Sequence, residues 1–291
     1  MSHARIQSIA RSLPLWQNRP VEIKPLTGGI TNQNFVVRDG VEQFVVRLCA
    51  DGMQLGIDRR SEAACHRAAA AAGVAPELVH HEPDVLVTRF VAGETLTAAR
   101  LQDHRVLRRV ALALRRLHAD RSRIVGEMLE FSGFAASRTY AVRARRWGAE
   151  LPADIDAILE DAGDLERSLA PTQPSLCHND LLPANLIDDG RQTWIVDWEL
   201  AGVGHPMFDL GGLASNAGLD AAAEEELLTA CFDRVTPAAQ RELAIFKAVS
   251  LLREALWGAV QSASATLDFD YRQYAAVHFE RYRAARANIR D

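Results

Sequence analysis

The stretch Cys177-His178-Asn179-Asp180-Leu181-Leu182-Pro183-Ala184-Asn185 is followed by a turn at Asp188-Asp189-Gly190, a short strand pattern and then Asp197-Trp198-Glu199. Two short strands, Asn185–Ile187 and Thr193–Val196, thus flank a turn, with polar and acidic residues at their ends. Transfer of a phosphoryl group needs such a layout: one carboxylate to orient a hydroxyl and accept its proton, and two further oxygen ligands to hold Mg²⁺ on nucleotide phosphates. Asp180 suits the first role; Asn185 and Asp197 suit the second. A histidine two residues before an aspartate is common by chance, and a lone aspartate is usually solvated. The ordered set of Asp, Asn and a second Asp around one hairpin is much more specific. His178 reads as a loop anchor. Asp209, three residues after Pro206, reads as a carboxylate that fixes the loop by hydrogen bonds.

Upstream, the first hundred residues carry short strand patterns at Val21–Leu26, Asn34–Val37, Phe44–Leu48 and Val85–Val91, with Asp39-Gly40 as a hairpin signal. An alanine-rich helix from Arg59 to Ala72 lies among them, Gly73 is placed to end it, and Arg59 and Arg60 read as its solvated start. From Asp103 onward the pattern is helical. Leu107, Val110, Ala111, Leu114 and Leu117 form one apolar face. Further helices are expected at Arg138–Glu150, Asp154–Leu169, Ala221–Phe232, Pro237–Ser262 and Tyr271–Asn288. The economical reading is α+β and bilobal: a small β-rich N-lobe over residues 1–92 and a larger, mainly helical C-lobe over 93–291, joined near Phe90 to Glu94.

Composition excludes several classes. The chain is 48% hydrophobic, enough for a real core, and its formal charge of −5 leaves no global footprint for nucleic acid. Cys49, Cys65, Cys177 and Cys231 form no CxxC pair, so structural zinc is not expected, and they suit a reducing compartment. No apolar run is long enough to span a membrane, and Met1 to Pro14 lacks the features of a signal peptide. The expectation is a cytoplasmic protein, with a homodimer left open. Lys24 and Lys247 are the only lysines, so a lysine role elsewhere falls to arginine.

Between the first two strands, Leu26-Thr27-Gly28-Gly29-Ile30-Thr31-Asn32 offers backbone N–H groups that can cradle an anion. It lacks the Walker lysine and opens no helix, so it is not a P-loop, and Gly-Gly is also an ordinary turn.

Taken together, Gly28-Gly29-x-Thr31-Asn32, Arg47, the Asp180/Asn185 loop and Asp197-Trp198-Glu199 resemble the choline/ethanolamine kinases, within the wider aminoglycoside-phosphotransferase-like group, from about Leu26 to Tyr274. The resemblance implies a protein-kinase-like fold with ATP and Mg²⁺ as cofactors. It makes Arg47 the cation on the nucleotide phosphates, Glu62 its ion-pair partner, and the backbone of Arg89 and Val91 the contact for adenine. The stretch Leu256-Trp257-Gly258-Ala259-Val260-Gln261, with Phe269, Tyr271 and Tyr274 beyond it, is similar to the choline kinase region whose aromatic rings enclose a trimethylammonium group. Trp257, Tyr271 and Tyr274 are then cage walls, Phe269 supports them, and Glu199 adds negative charge. A quaternary ammonium donates no hydrogen bond, so aromatic faces and carboxylates suit it; aromatics at helical spacing also pack cores. Glu254 departs from the pattern, because eukaryotic choline kinases show a second tryptophan there. The implied substrate is a small amino alcohol, choline first, with ethanolamine, thiamine or an aminoglycoside as alternatives. A non-catalytic nucleotide-binding protein on the same scaffold is the alternative from another class, and the intact Asp180, Asn185 and Asp197 favour the enzyme.

Overall fold

Alternating apolar side chains build the first sheet. In the computed structural model, which describes residues 12–17, 19–26, 33–49, 57–232, 234–264 and 269–289, strands β1 (Glu22–Leu26), β2 (Gln33–Asp39), β3 (Glu42–Leu48), β4 (Leu78–Glu82) and β5 (Val85–Arg89) pair antiparallel in the order β1-β2-β3-β5-β4. Asp39 faces Glu42 across a tight turn, and Gly40 takes the left-handed conformation (φ 60°) that such a turn demands. Phe35, Val37, Phe44, Val46 and Val87 bury one face together with Leu13 and Trp16. Helix α1 (Arg59–Ala71) packs beside this sheet, and the Asp58 carboxylate caps it by accepting from the N–H groups of Arg60 and Ser61.

Beyond β5 the chain becomes helical. Strand β6 (Glu94–Thr95) pairs with β8 (Leu186–Asp188), which pairs with β9 (Thr193–Ile195); β7 (Ser175–Cys177) pairs with β10 (Gly202–Gly204). Around these lie α2 (His104–Ala119), α3 (Gly133–Arg146), α4 (Ile155–Ser168), α5 (Pro206–Ala217), α6 (Ala221–Phe232), α7 (Pro237–Ser264) and α8 (Tyr271–Ala287). The long α7 packs against α3, α5 and α8. Leu107, Leu114, Leu176, Ile195, Leu210 and Leu252 belong to one continuous core. No helix among the described residues is long and apolar enough to cross a membrane. The α+β architecture expected from the sequence is the one observed.

Among the close approaches that depend on glycine, those at Gly93 and Gly258 bear on the site. A Cβ on Gly93, at the joint between sheet and helices, would lie 2.7 Å from the Asp188 carbonyl oxygen. A Cβ on Gly258 would lie 2.8 Å from the Tyr274 ring, so the glycine lets α8 settle close on α7.

Several boundaries differ from the sequence reading. Helix α3 begins at Gly133 rather than Arg138, because the Ser132 hydroxyl caps it by accepting from the Ala135 N–H. Strand β5 ends at Arg89, two residues early, and Asn185 sits in a 3₁₀ turn, Pro183–Asn185, ahead of β8. Strands β4, β6 and β10 had not been anticipated.

Candidate active site

The loop after β7 is held from below. Asp209, in the first turn of α5 and 1% exposed, accepts from the backbone N–H of His178 at 2.9 Å and of Asn179 at 2.7 Å. His118 Nε2 joins the same carboxylate at 2.9 Å. The loop-fixing role expected of Asp209 is thus its observed geometry. His118, Cys177 and Asp209 lie close enough to resemble a metal cluster, but these hydrogen bonds already account for the carboxylate. Asn179 has φ 67° and Asp197 φ 66°. A left-handed conformation at a residue other than glycine costs of order 1–3 kcal/mol and persists where the surroundings enforce it.

His178 ties together the segments that carry Asp180 and Asp197. Its Nε2–H donates to the Val196 carbonyl at 2.9 Å, while its Nδ1 accepts from the Asp180 N–H at 3.3 Å. The ring also packs edge-on against Trp198, centroids 4.8 Å apart. Asn185 Nδ2 donates to the Asp180 carbonyl at 2.9 Å, which leaves Oδ1 as the end of the amide suited to a cation. The Asn185 carbonyl accepts from Val196 N–H at 2.9 Å. One set of hydrogen bonds therefore positions Asp180, Asn185 and Asp197 together.

On the side of the N-terminal sheet, Arg47 of β3 donates to Asp197 at 2.6 Å and to Glu62. The Asp197 side chain is 37% exposed. Burial of its environment, opposed by Arg47 and reinforced by Glu199 and Asp180, pushes its carboxyl up to about 6. Burial works against the charge on Arg47, but Asp197 foremost holds its pKa above the ordinary arginine value. Arg59 is no solvated helix start. It donates to Glu62 at 2.8 Å and to Glu199 at 3.2 Å, because helix α1 turns it toward the chain that follows Asp197.

On the helical side, Arg253 from α7 donates to Asp180 Oδ1 at 2.9 Å and to Glu254 Oε1. Tyr274 in turn donates its hydroxyl to Glu254 Oε2 at 2.7 Å. Burial raises the Asp180 carboxyl; Arg253 opposes the shift and Glu254 adds to it. Sequence reasoning missed Arg253. The available signal was a charged pair, Arg253-Glu254, inside the apolar run from Leu251 to Leu256, where a charge requires a partner.

The four aromatic residues singled out in the sequence form one cluster. Trp257 packs edge-on against Tyr271 and Tyr274 at 5.7 and 5.8 Å, and Phe269 meets the same two rings at 4.8 and 5.9 Å. The carboxylate that touches this cluster is Glu254; Glu199 is engaged by Arg59 instead. Glu199 also lines a cavity of about 260 Å³ with Asp58, Tyr140 and Arg143. A larger cavity of about 450 Å³, near Ser168 and Arg241, shares no residue with the constellation. The Arg89 N–H is engaged by the Glu77 carbonyl at 3.0 Å, so it is not free for a base; Val91 follows at the joint. Gly28, Gly29, Thr31 and Asn32 lie outside the described residues.

The fold and this hairpin are those of a phosphotransferase. The phosphotransferase enzyme family model matches residues 22–245, and the chain belongs to that family, in its choline/ethanolamine kinase branch. The solved structure of a choline/ethanolamine kinase family protein from Mesorhizobium loti is 31% identical, covering 98% of this chain and 95% of that one, with a TM-score of 0.85. Human ethanolamine kinase 2 is 26% identical, covering 92% of this chain and 77% of that protein. The choline kinase LicA from Streptococcus pneumoniae shares the fold, with a TM-score of 0.79 at 22% identity over 98% of this chain and 99% of that one.

Proposed function

We propose that this chain transfers the γ-phosphoryl group of ATP to the hydroxyl of a small amino alcohol, by direct in-line displacement. The observation that supports the reading is the hydrogen-bonded unit His178–Asp180–Asn185–Val196, which holds Asp180 and Asn185 beside the residue that precedes Asp197. Asp180 orients the acceptor hydroxyl and takes its proton. Asn185 Oδ1 and the Asp197 carboxylate would hold Mg²⁺, which when bound offsets phosphate charge; an amide oxygen and a carboxylate are the hard donors such an ion takes. Arg47, braced by Glu62, exchanges its bond to Asp197 for the nucleotide phosphates. Gly28, Gly29, Thr31 and Asn32, outside the described residues, are assigned to the nucleotide phosphates by the same reading, and Val91 supplies the backbone contact to adenine.

The N-lobe then ends at residue 92, between β5 and β6. Trp257, Phe269, Tyr271 and Tyr274 wall the acceptor end. Choline was the acceptor expected from the sequence, and ethanolamine is named for several relatives. The four free cysteines suit the reducing cytoplasm. ADP release is measured with Mg·ATP and a panel of choline, ethanolamine, thiamine, an aminoglycoside and no acceptor. Release that depends on choline or ethanolamine is the expected result. Release that depends on neither overturns the reading.

A further inference from the structure

Arg253 and Glu254 are 3% and 4% exposed, on a helix whose neighbouring residues are apolar. Buried charges at such a position must be paired. Arg253 uses one nitrogen, Nη2, for both Asp180 and Glu254, so a single cation stands between two carboxylates. Burial opposes its charge, but Glu254 and Asp180 together keep it protonated. The Tyr274 hydroxyl stays neutral, since burial and the adjacent Glu254 both resist its ionisation. His278, whose ring packs 4.0 Å from the Tyr274 ring, is pushed toward its neutral form by burial. Asp180 and Arg253 cancel, and the cluster of Asp180, Arg253 and Glu254 keeps one net negative charge.

That residual charge calls for a cation, and its geometry calls for a particular kind. Each Glu254 oxygen holds one hydrogen bond, from Arg253 or from Tyr274, and each can accept a second. An ammonium with N–H groups reaches such an oxygen at about 2.7–2.9 Å. Methyl groups hold a quaternary nitrogen back by van der Waals contact, at about 3.5–4 Å from carbon to oxygen, and leave the second acceptor sites dry. We propose that Glu254, clamped by Arg253 and Tyr274, is the specificity residue of the acceptor site and selects an amino alcohol whose ammonium retains an N–H over a quaternary one. In this selection Arg253 and the Tyr274 hydroxyl act through Glu254 and serve as positioning groups, apart from the Arg253 bond to Asp180 and the Tyr274 ring in the wall. The inference rests on the amino-alcohol reading above.

The test is a methylation series: ethanolamine, its N-methyl and N,N-dimethyl derivatives, and choline, at saturating Mg·ATP. In the unmodified protein, kcat/KM should fall about 10- to 100-fold at the last methylation, where the final N–H is lost. Glu254→Gln should raise the KM for ethanolamine by a similar factor, leave choline within about threefold, and leave the KM for ATP unchanged. Choline used as well as ethanolamine by the unmodified protein overturns the selectivity and leaves the kinase reading standing. An equal loss on all four acceptors in Glu254→Gln reduces Glu254 to a structural part. Turnover of none of the four removes both readings together. Should Glu254→Gln fail to fold, the series on the unmodified protein still decides.

Discussion

Two buried arginines hold the two carboxylates Asp197 and Asp180, and they are built differently. Arg47 joins Asp197 to Glu62; Arg253 joins Asp180 to Glu254. Each therefore links a carboxylate at the cleft to a glutamate kept from solvent. The braces behind them differ. Glu62 has a second cation, Arg59, which reaches on to Glu199, whereas Glu254 is braced by the neutral Tyr274 hydroxyl. On the proposed reading the difference follows from the ligands. A polyanion needs cations that can leave one partner for another, and Arg59 lets Arg47 move without stranding Glu62. A monocation needs one carboxylate left unbalanced, and a neutral brace preserves that charge.

The largest effects should separate the two ends by chemistry. Asp197→Ala should abolish Mg²⁺-dependent ATP turnover. Asp180→Asn should lower kcat by about 10²–10⁴-fold, with nucleotide affinity retained, since Asp180 bonds to the acceptor end. Steady-state kinetics and nucleotide titration calorimetry read both. A large rise in the ATP dissociation constant in Asp180→Asn would break the division into two ends.

The nucleotide end was easier to see in the sequence than the acceptor end, for physical reasons. Asn185 and Asp197, the metal ligands of the proposed reading, flank one hairpin, so their spacing carries their geometry. Strands β2 and β3 show the apolar pattern of half-buried sheet, with Phe35, Val37, Phe44 and Val46 inward, and β5 reads as a short apolar run. Strand β4 includes Val79-His80-His81, which shows no such alternation, and only pairing with β5 makes it a strand. Arg253 meets Asp180 across 73 residues and Arg59 meets Glu199 across 140. Such contacts are set by how helices dock, and local pattern does not encode them. Arg47 is as remote from Asp197 but became visible through the family resemblance.

Stability sharpens the contrast next. Removing one partner of a buried ion pair costs about 3–5 kcal/mol, because the other charge is left uncompensated. Arg47→Ala strands less, since Glu62 keeps its 2.8 Å bond from Arg59. Arg253→Met strands both Asp180 and Glu254 and should fall at the upper end of that range. Arg253→Met combined with Glu254→Gln should recover part of the loss, a coupling that a double-mutant cycle reads directly. Urea unfolding without ligands measures the unmodified protein, Arg47→Ala, Arg253→Met, Glu254→Gln and the double variant. Arg47→Ala proving the more destabilising of the single changes would mean that Arg59 does not brace Glu62.

The smallest effects lie in the braces themselves. Tyr274→Phe removes a hydrogen bond to a buried carboxylate and should cost about 1.5–3 kcal/mol. Arg59→Gln should cost about 1 kcal/mol, because the side chains of Arg59 and Glu199 are both 14% exposed and Glu62 still has Arg47. The sizes overlap within ordinary scatter, so salt is the better discriminator. A pair at the rim of a cleft is screened as ionic strength rises, with a Debye length near 10 Å at about 0.1 M and 3 Å at about 1 M. A neutral donor bonded inside the fold is not. The loss in Arg59→Gln should therefore shrink between low and high salt, while the loss in Tyr274→Phe holds steady, both followed by unfolding midpoints against the unmodified protein in the same buffers. If Arg59→Gln keeps its full cost at high salt, Arg59 is a sealed brace like Tyr274, and the nucleotide end has no more freedom to exchange partners than the acceptor end.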